Sequence, residues 1–397
     1  MTPWLIWRGT FFRRFFPRKI FPQNPYVWIH AVSVGEVIAA VPIVEAFRKQ
    51  FPAWSYVVST ITDAGLESAR KSMPYATSLL LPFDLSVCLK NVLQEPPSLV
   101  VLSEGDIWPV FLTEAKRAGA HVVVISGKIS QKSFRRLRYF GKWLYSFVDL
   151  FCMQGKSFAE RLYALGVPRN KIVITGNTKV DAKFTPISSE EKRVWLQRLG
   201  ISEDIRLIVV ASSHDPEEEL VVQKLQPLLS DSIRLLVVPR HPRRFAEVFE
   251  KMRILEPLTV RLSDRGTLSW RVMVVDTMGV LLELYQLATV AIVCGSFVSK
   301  VGGHNIVEPA IARVPVVVGP YMQSQTILCE SAKENGAIIQ VGVDFLDETI
   351  KKLLEEPMYK NQLANAAQRW AEGLRGATER TMIAVKNEID VIKNEKG

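Results

Sequence analysis

The sequence predicts two consecutive α/β domains, each a Rossmann-like parallel sheet covered by helices on both faces. Three observations carry this. The chain has 397 residues, more than one hydrophobic core usually serves. After Pro25, short apolar runs alternate with amphipathic segments, the pattern of βαβ units. That alternation pauses once, over the polar stretch 181–195, and then restarts.

In chain order, VWIHAVSV, SYVVST, TSLLL, SLVVLS, HVVVIS, LFCM and KIVIT read as buried strands of the first domain. Segments 36–50, 63–72, 107–118 and 156–165 read as the helices between them. Residues 181–195 (DAKFTPISSEEKRVW) carry no strand signal and read as a linker. RLIVVAS, IRLLVVP, VMVVD, ATVAIVCG, PVVVG and AIIQV follow as strands of the second domain, and 343–394 reads as helical. The resulting division is an aromatic and basic segment at 1–22, a first α/β domain at 23–184, a second at 185–375, and a C-terminal helix at 376–397.

Composition narrows the function. Four cysteines, Cys88, Cys152, Cys294 and Cys329, show no CxxC spacing. That favours reduced thiols in a cytosolic compartment over a zinc site or disulfide framework. Residues 1–184 hold 24 Lys+Arg against 12 Asp+Glu, whereas the rest of the chain holds 26 against 28. The first domain is therefore the one expected to meet something anionic: nucleic acid, acidic lipid or a phosphorylated substrate. The first 20 residues contain five basic residues and no acid, with Trp4, Trp7, Phe11 and Phe15 on one helical face. This segment is too short and too charged to span a bilayer and lacks the form of a secretory signal. Arginines flanking an aromatic face favour a membrane interface over packing on its own domain.

In open α/β sheets, ligands bind beyond the carboxyl ends of the strands. The loops there are expected to line a cleft between the two domains. In the first domain they hold Glu36, then Glu104-Gly105-Asp106, Lys128 and Lys179. Glu36 follows a glycine and suits a general base, or simply complements a helix dipole. Glu104 and Asp106 offer two carboxylates to a divalent metal, though nearby lysines can do the same charge neutralisation.

In the second domain the loops hold Ser212-Ser213-His214-Asp215, Pro239-Arg240-His241, Asp276-Thr277-Met278-Gly279, and Gly302-Gly303-His304-Asn305 ahead of Glu308. Two glycines permit close backbone approach, a helix start favours an anion, and Glu308 one turn later suits ribose hydroxyls. Arg240 suits a phosphate. His214 and His241 read as ligand contacts or as hydrogen-bonded loop histidines, and Met278 as ligand-facing or core. Glu217 to Glu219 read also as an ordinary acidic first turn, and Arg243 and Arg244 as a solvated face.

HAVSVGE, EGDIWP, NTKVD, SSHDPEE, VPRHPRRF, DTMG and GGHNIVEPA follow one another in an order and spacing that resembles the 3-deoxy-D-manno-octulosonic acid (Kdo) transferases of Gram-negative lipopolysaccharide synthesis. The resemblance runs from about residue 25 to the final helices. It implies a GT-B glycosyltransferase with an acceptor domain first and a CMP-Kdo donor domain second. The acceptor it implies is a phosphorylated lipid A precursor (lipid IVA), met at the cytoplasmic face of the inner membrane. By the same resemblance Glu36 is the general base, and Glu104 and Lys179 support the transition state. Ser33, Gly35 and Lys128 would contact the acceptor. Ser213, His214, Pro239, Arg240, Met278, Gly279, Val280, Gly303, Asn305, Ile306, Val307 and Glu308 would contact the donor. No cofactor, metal or nucleic acid is implied.

Two departures stand out. The family commonly reads N-A-R-L-S where this chain has Ser126-Gly127-Lys128-Ile129-Ser130, which keeps the charge and loses the bidentate fork. The family also usually opens with a longer hydrophobic helix, so attachment here is expected to be peripheral. Another GT-B-like enzyme using a different nucleotide sugar, a transferase or an epimerase, is the alternative. A non-catalytic basic binding protein would leave the strand-end motifs without a purpose.

Overall fold

A computed structural model describes residues 10–181, 184–264 and 269–395. Trp4 and Trp7 of the expected aromatic face lie outside the described residues. The chain divides into two compact units: residues up to 182 together with those from 374 onward, and residues 183–373 between them.

The first unit is built on seven parallel strands: β1 (Tyr26–His30), β2 (Ser55–Thr60), β3 (Thr77–Leu80), β4 (Leu99–Ser103), β5 (His121–Gly127), β6 (Leu150–Met153) and β7 (Ile172–Ile174). Their order is β3-β2-β1-β4-β5-β6-β7. Alternation along a strand sends successive side chains to opposite faces. Tyr26 and Trp28 of β1 thus join the core that contains Phe111, and Val27 and Ile29 join the core that contains Phe47. Both faces are covered, which is why β1 reads as an unbroken apolar run. Successive strands are added in opposite directions on either side of the β1–β4 pair, with every strand parallel. In open α/β sheets such a switch point is where ligands bind, beyond the carboxyl ends of the strands.

The second unit repeats the scheme with β8 (Arg206–Ser213), β9 (Ile233–Pro239), β10 (Thr259–Arg261), β11 (Val272–Val274), β12 (Val290–Val293), β13 (Val316–Val318) and β14 (Ile338–Gln340). The order β10-β11-β9-β8-β12-β13-β14 places its switch point between β8 and β12. Strand β10 escaped the sequence reading. Three residues, two of them only half-buried, carry too little apolar signal to register.

The polar stretch at 181–195 is not wholly a linker. Ser188 accepts from the Glu191 N–H while the Glu191 carboxylate accepts from the Ser188 N–H, and this capping box starts helix Ser189–Leu199. Helix Ala377–Glu395 belongs to the first unit. Its Met382, Val385 and Ile389 bury against the core of Val27, Ile29 and Phe47. Among the described residues, no helix is long and apolar enough to cross a membrane.

Candidate functional site

At the switch point of the first unit, the loop after β1 turns into helix Val34–Gln50 with Glu36 in its first turn. The Glu36 carboxylate accepts from the Val32 N–H at 2.9 Å and from Ser33 Oγ at 3.2 Å. Burial raises its carboxyl above the ordinary range, and the negative charges of Glu104 and Asp106 add to that. The hydrogen bonds from Val32 and Ser33 oppose it.

Glu104 leaves β4 in a left-handed backbone conformation (φ +61°), uncommon for a side chain of this size. Its N–H donates to Ile125 O, and its own carbonyl accepts from the Lys128 N–H. Lys179 Nζ and Lys128 Nζ each lie 2.5 Å from one of its carboxylate oxygens. Burial pushes the Glu104 carboxyl up, but the two lysines outweigh burial and hold it below its ordinary value. Asp106 is shifted the other way, by burial and by Glu104, with Lys128 opposing. One carboxylate of the group is thus committed to the anion and two are nudged toward protonation.

Lys179 stands on the short turn Thr178–Asp181, which is fixed from several sides. Thr178 Oγ1 bonds to Ala39 O and pairs with the buried Ser126 Oγ at 2.7 Å, and Asp181 accepts from the N–H groups of Gly376 and Thr378. Gly35 faces this lysine: a Cβ on it would sit 4.0 Å from Lys179 Nζ. Ser33, Gly35, Glu36, Glu104, Lys128 and Lys179, taken from four separate stretches of sequence, therefore gather at one carboxyl edge.

In the second unit, the loops after β8 and β12 are tied together by Glu217. This side chain is fully buried. Its carboxylate accepts from the N–H groups of His214 (3.1 Å), Gly295 (2.7 Å) and Phe297 (2.9 Å). Burial raises its carboxyl despite those three bonds. Its neighbour Glu218 is buried too and pairs with Arg244 at 2.6 Å. Arg244, read from the sequence as part of a solvated face, is in fact mostly enclosed. The acidic first turn does more than complement a dipole.

His214 and His304 stack with their Nε2 atoms 2.8 Å apart, and His241 meets His214 edge-on. One ring must donate and the other accept, so both cannot be charged. Burial, with His214 and Arg240 nearby, lowers His304 to about 4. Arg240 makes no salt bridge among the described residues, and its charge is felt at His304 and Glu308. Asn305 donates to Glu308 at 3.0 Å and accepts from the Val307 N–H. The Glu308 side chain reaches solvent, yet the crowded surroundings raise its carboxyl; Asn305 and Arg240 oppose this.

The glycine pair has a reason the sequence did not show. Gly302 and Gly303 take φ +92° and +87° and donate to Gly295 O. A Cβ on Gly302 would strike Ser324, and one on Gly303 would strike Met322. These glycines admit a neighbouring loop of the chain itself. The helix that follows, Val307–Ile311, is only five residues long.

Ser213, Ile306 and Val307 are buried. Pro239 ends β9, and the next N–H, of Arg240, donates to Ser213 O. Met278 is 55% exposed, which excludes a core role. Gly279 (φ +81°) has open space where a Cβ would stand, so its backbone conformation is what calls for glycine. Val280 leads into helix Leu281–Leu287, whose Tyr285 lies beside Glu308. Glu217, the His214–His304 pair, Ser126 with Thr178, and Asp181 were not singled out as site builders from sequence. Their partners lie far away along the chain, so no local spacing marks them.

Two parallel-sheet units, each gathering polar groups at its switch point, define the GT-B fold. The fold agrees with solved structures. UDP-GlcNAc 2-epimerase from Neisseria meningitidis matches with a TM-score of 0.66 and 16% identity, over 92% of this chain and 100% of that one. A glycosyltransferase from Rickettsia africae matches at 0.64 and 12%, over 94% and 99%. The family is fixed by sequence. Residues 10–182 match the family described as 3-Deoxy-D-manno-octulosonic-acid transferase (kdotransferase). The 3-deoxy-D-manno-octulosonic acid transferase of Chlamydia trachomatis is 33% identical over 94% of this chain and 88% of its own length. That of Haemophilus influenzae is 28% identical over 92% and 87%. The chain belongs to the 3-deoxy-D-manno-octulosonic acid transferase family.

Proposed function

We propose that this protein transfers Kdo from CMP-Kdo to a phosphorylated lipid A precursor, lipid IVA, in lipopolysaccharide synthesis, with inversion at the anomeric carbon. The observation that carries the reading is the pairing of a raised Glu36 with a Glu104 clamped between two lysines. A base must give up its own proton to the medium and then take one from a hydroxyl. A carboxyl shifted upward toward working pH is better suited to that than an ordinary one.

In this reading Glu36 takes the proton of an acceptor sugar hydroxyl as that oxygen forms a bond to the anomeric carbon of Kdo. The bond from that carbon to the CMP phosphate oxygen breaks, and CMP departs as a phosphate monoester with the electron pair. Arg240 and the start of the helix near Asn305 balance the charge arriving on the phosphate. Lys179 and Lys128 keep Glu104 ionised, which keeps Glu36 basic. A single displacement inverts the anomeric centre. The membrane-borne acceptor sets the location we propose, the cytoplasmic face of the inner membrane.

The test is product mass spectrometry with a CMP-Kdo generating system and a tetraacylated lipid A precursor, alongside Glu36→Ala. Whole Kdo increments that vanish in the variant support the reading. Thermal protection by UDP in preference to CMP would sink it in favour of a different nucleotide sugar.

A further inference from the structure

The two stacked histidines of the second unit are held more firmly than a chance contact requires. His214 stands on the loop after β8 and His304 on the loop after β12. Gly295, at φ +70°, makes room for the His304 ring: a Cβ there would come within 2.8 Å of its Cδ2 atom. The buried Glu217 carboxylate accepts from the N–H of His214 and from that of the same Gly295. One anchor thus sets the backbone beneath both rings. They meet face to face, centroids 5.0 Å apart, with their Nε2 atoms at 2.8 Å.

A bond between two imidazole Nε2 atoms has a definite proton capacity. With both rings neutral, one Nε2 carries a hydrogen and the other offers its lone pair. One added proton settles on the Nδ1 of the donating ring and leaves the bond intact, because an imidazolium still donates to a neutral partner. A second would break it. The pair is therefore a store for one proton. Its surroundings keep that store empty. Arg240 and His241, from the loop after β9, bear on both rings, and Arg244 bears on His214 as well. Glu218 favours protonation of His214 but is paired with Arg244. Glu217 is spent on backbone N–H groups, and Glu308 answers to Arg240. Arg240 itself has no carboxylate partner among the described residues.

We propose that the His214–His304 pair takes up one proton when a phosphate monoester binds at Arg240, and returns it when the nucleotide leaves. The inference rests on the reading of CMP as the departing nucleotide and adds the proton that travels with it. A dianion at Arg240 offsets the charge of that cation and brings an opposite charge of its own, which favours the imidazolium. During transfer the electron pair of the broken bond stays on the phosphate, which passes from one negative charge to two. The pair draws its proton from the medium, so the added charges balance. The proton of the acceptor hydroxyl is a separate one and goes to Glu36. A pair that only tied two loops together would stay neutral, and amide side chains would serve it equally well. Histidine is the side chain whose charge changes near neutral pH.

The experiment is calorimetry of CMP binding to the full chain in PIPES, HEPES and Tris, whose different ionisation enthalpies count the protons exchanged. At about pH 7 a free phosphate monoester, with its second pKa at about 6, is mostly dianionic. Selection of the dianion alone would release protons, so uptake has the opposite sign. The expected result is net uptake approaching about one proton per CMP. It should be lost in the double variant His214→Asn, His304→Asn and kept in His241→Asn. Histidine labelled with ¹⁵N gives a reading that needs no substitution: on saturation with CMP, ring nitrogens of the pair should move to imidazolium positions. Absence of uptake, or ring signals that stay neutral at saturation, overturns the proposal. So does uptake that survives the double variant, or that disappears in His241→Asn or Glu308→Gln, since the proton then lands elsewhere. Failure of the unaltered chain to bind CMP overturns the reading of the nucleotide, and this inference with it.

Discussion

In the proposed mechanism the acid–base chemistry turns on three carboxylates and two lysines, and their charges make opposite demands. There Glu36 must lose its proton to act. Because burial, Glu104 and Asp106 raise its carboxyl, the acid limb of kcat/KM should lie above the ordinary glutamate value, with activity lost as pH falls through it. Glu36→Gln should cut kcat by about 10²- to 10⁴-fold while CMP still protects thermally. Glu104→Gln makes a sharper test. It removes a negative charge that opposes ionisation of Glu36 and releases Lys128 and Lys179, which favour it. The acid limb should move to lower pH, read from a pH–rate profile of the variant. A shift to higher pH would show that the Glu104 charge does not hold the Glu36 carboxyl up. The residue scale is also where the sequence was most readable. Glu36, Glu104, Lys128 and Lys179 all stand directly after apolar runs, and position after a strand is legible without knowing the fold.

At the scale of elements, the loops are held by groups that a sequence does not advertise. Glu217 accepts three backbone N–H bonds, two of them from a loop about 80 residues away. Glu217→Ala strands those donors and should cost on the order of 3 kcal/mol in urea unfolding. CMP protection should fall with it, because the loops after β8 and β12 carry His214 and the glycine pair. Strand β10 and the start of helix Ser189–Leu199 illustrate two kinds of illegibility. The strand is too short to show a period. The helix announces itself through Ser188 and Glu191, but a polar stretch between two apolar alternations draws the eye to a linker first. Glu104, Ser126 and Ser212 hold positive φ without being glycine. Strain of this kind, about 1 kcal/mol or more each, leaves no mark on composition. The strands, by contrast, were legible because burial on both faces forces long apolar runs.

At the scale of the molecule, the first unit is completed by a helix that comes after the second. Met382, Val385 and Ile389 fill its core, and Asp181 caps the helix that carries them. Burying three such side chains contributes roughly 5–8 kcal/mol, comparable with the whole stability of a domain. A chain ending at residue 373 should therefore keep the second unit folded and lose the first, seen by limited proteolysis as a resistant fragment near residues 183–373. This return of the chain reorders biogenesis. A nascent polypeptide usually folds from its leading end as it leaves the ribosome. Here the leading domain waits, its slot open, while the trailing one is made and folds. A premature stop in the last stretch of the message would spoil the domain that was synthesised first.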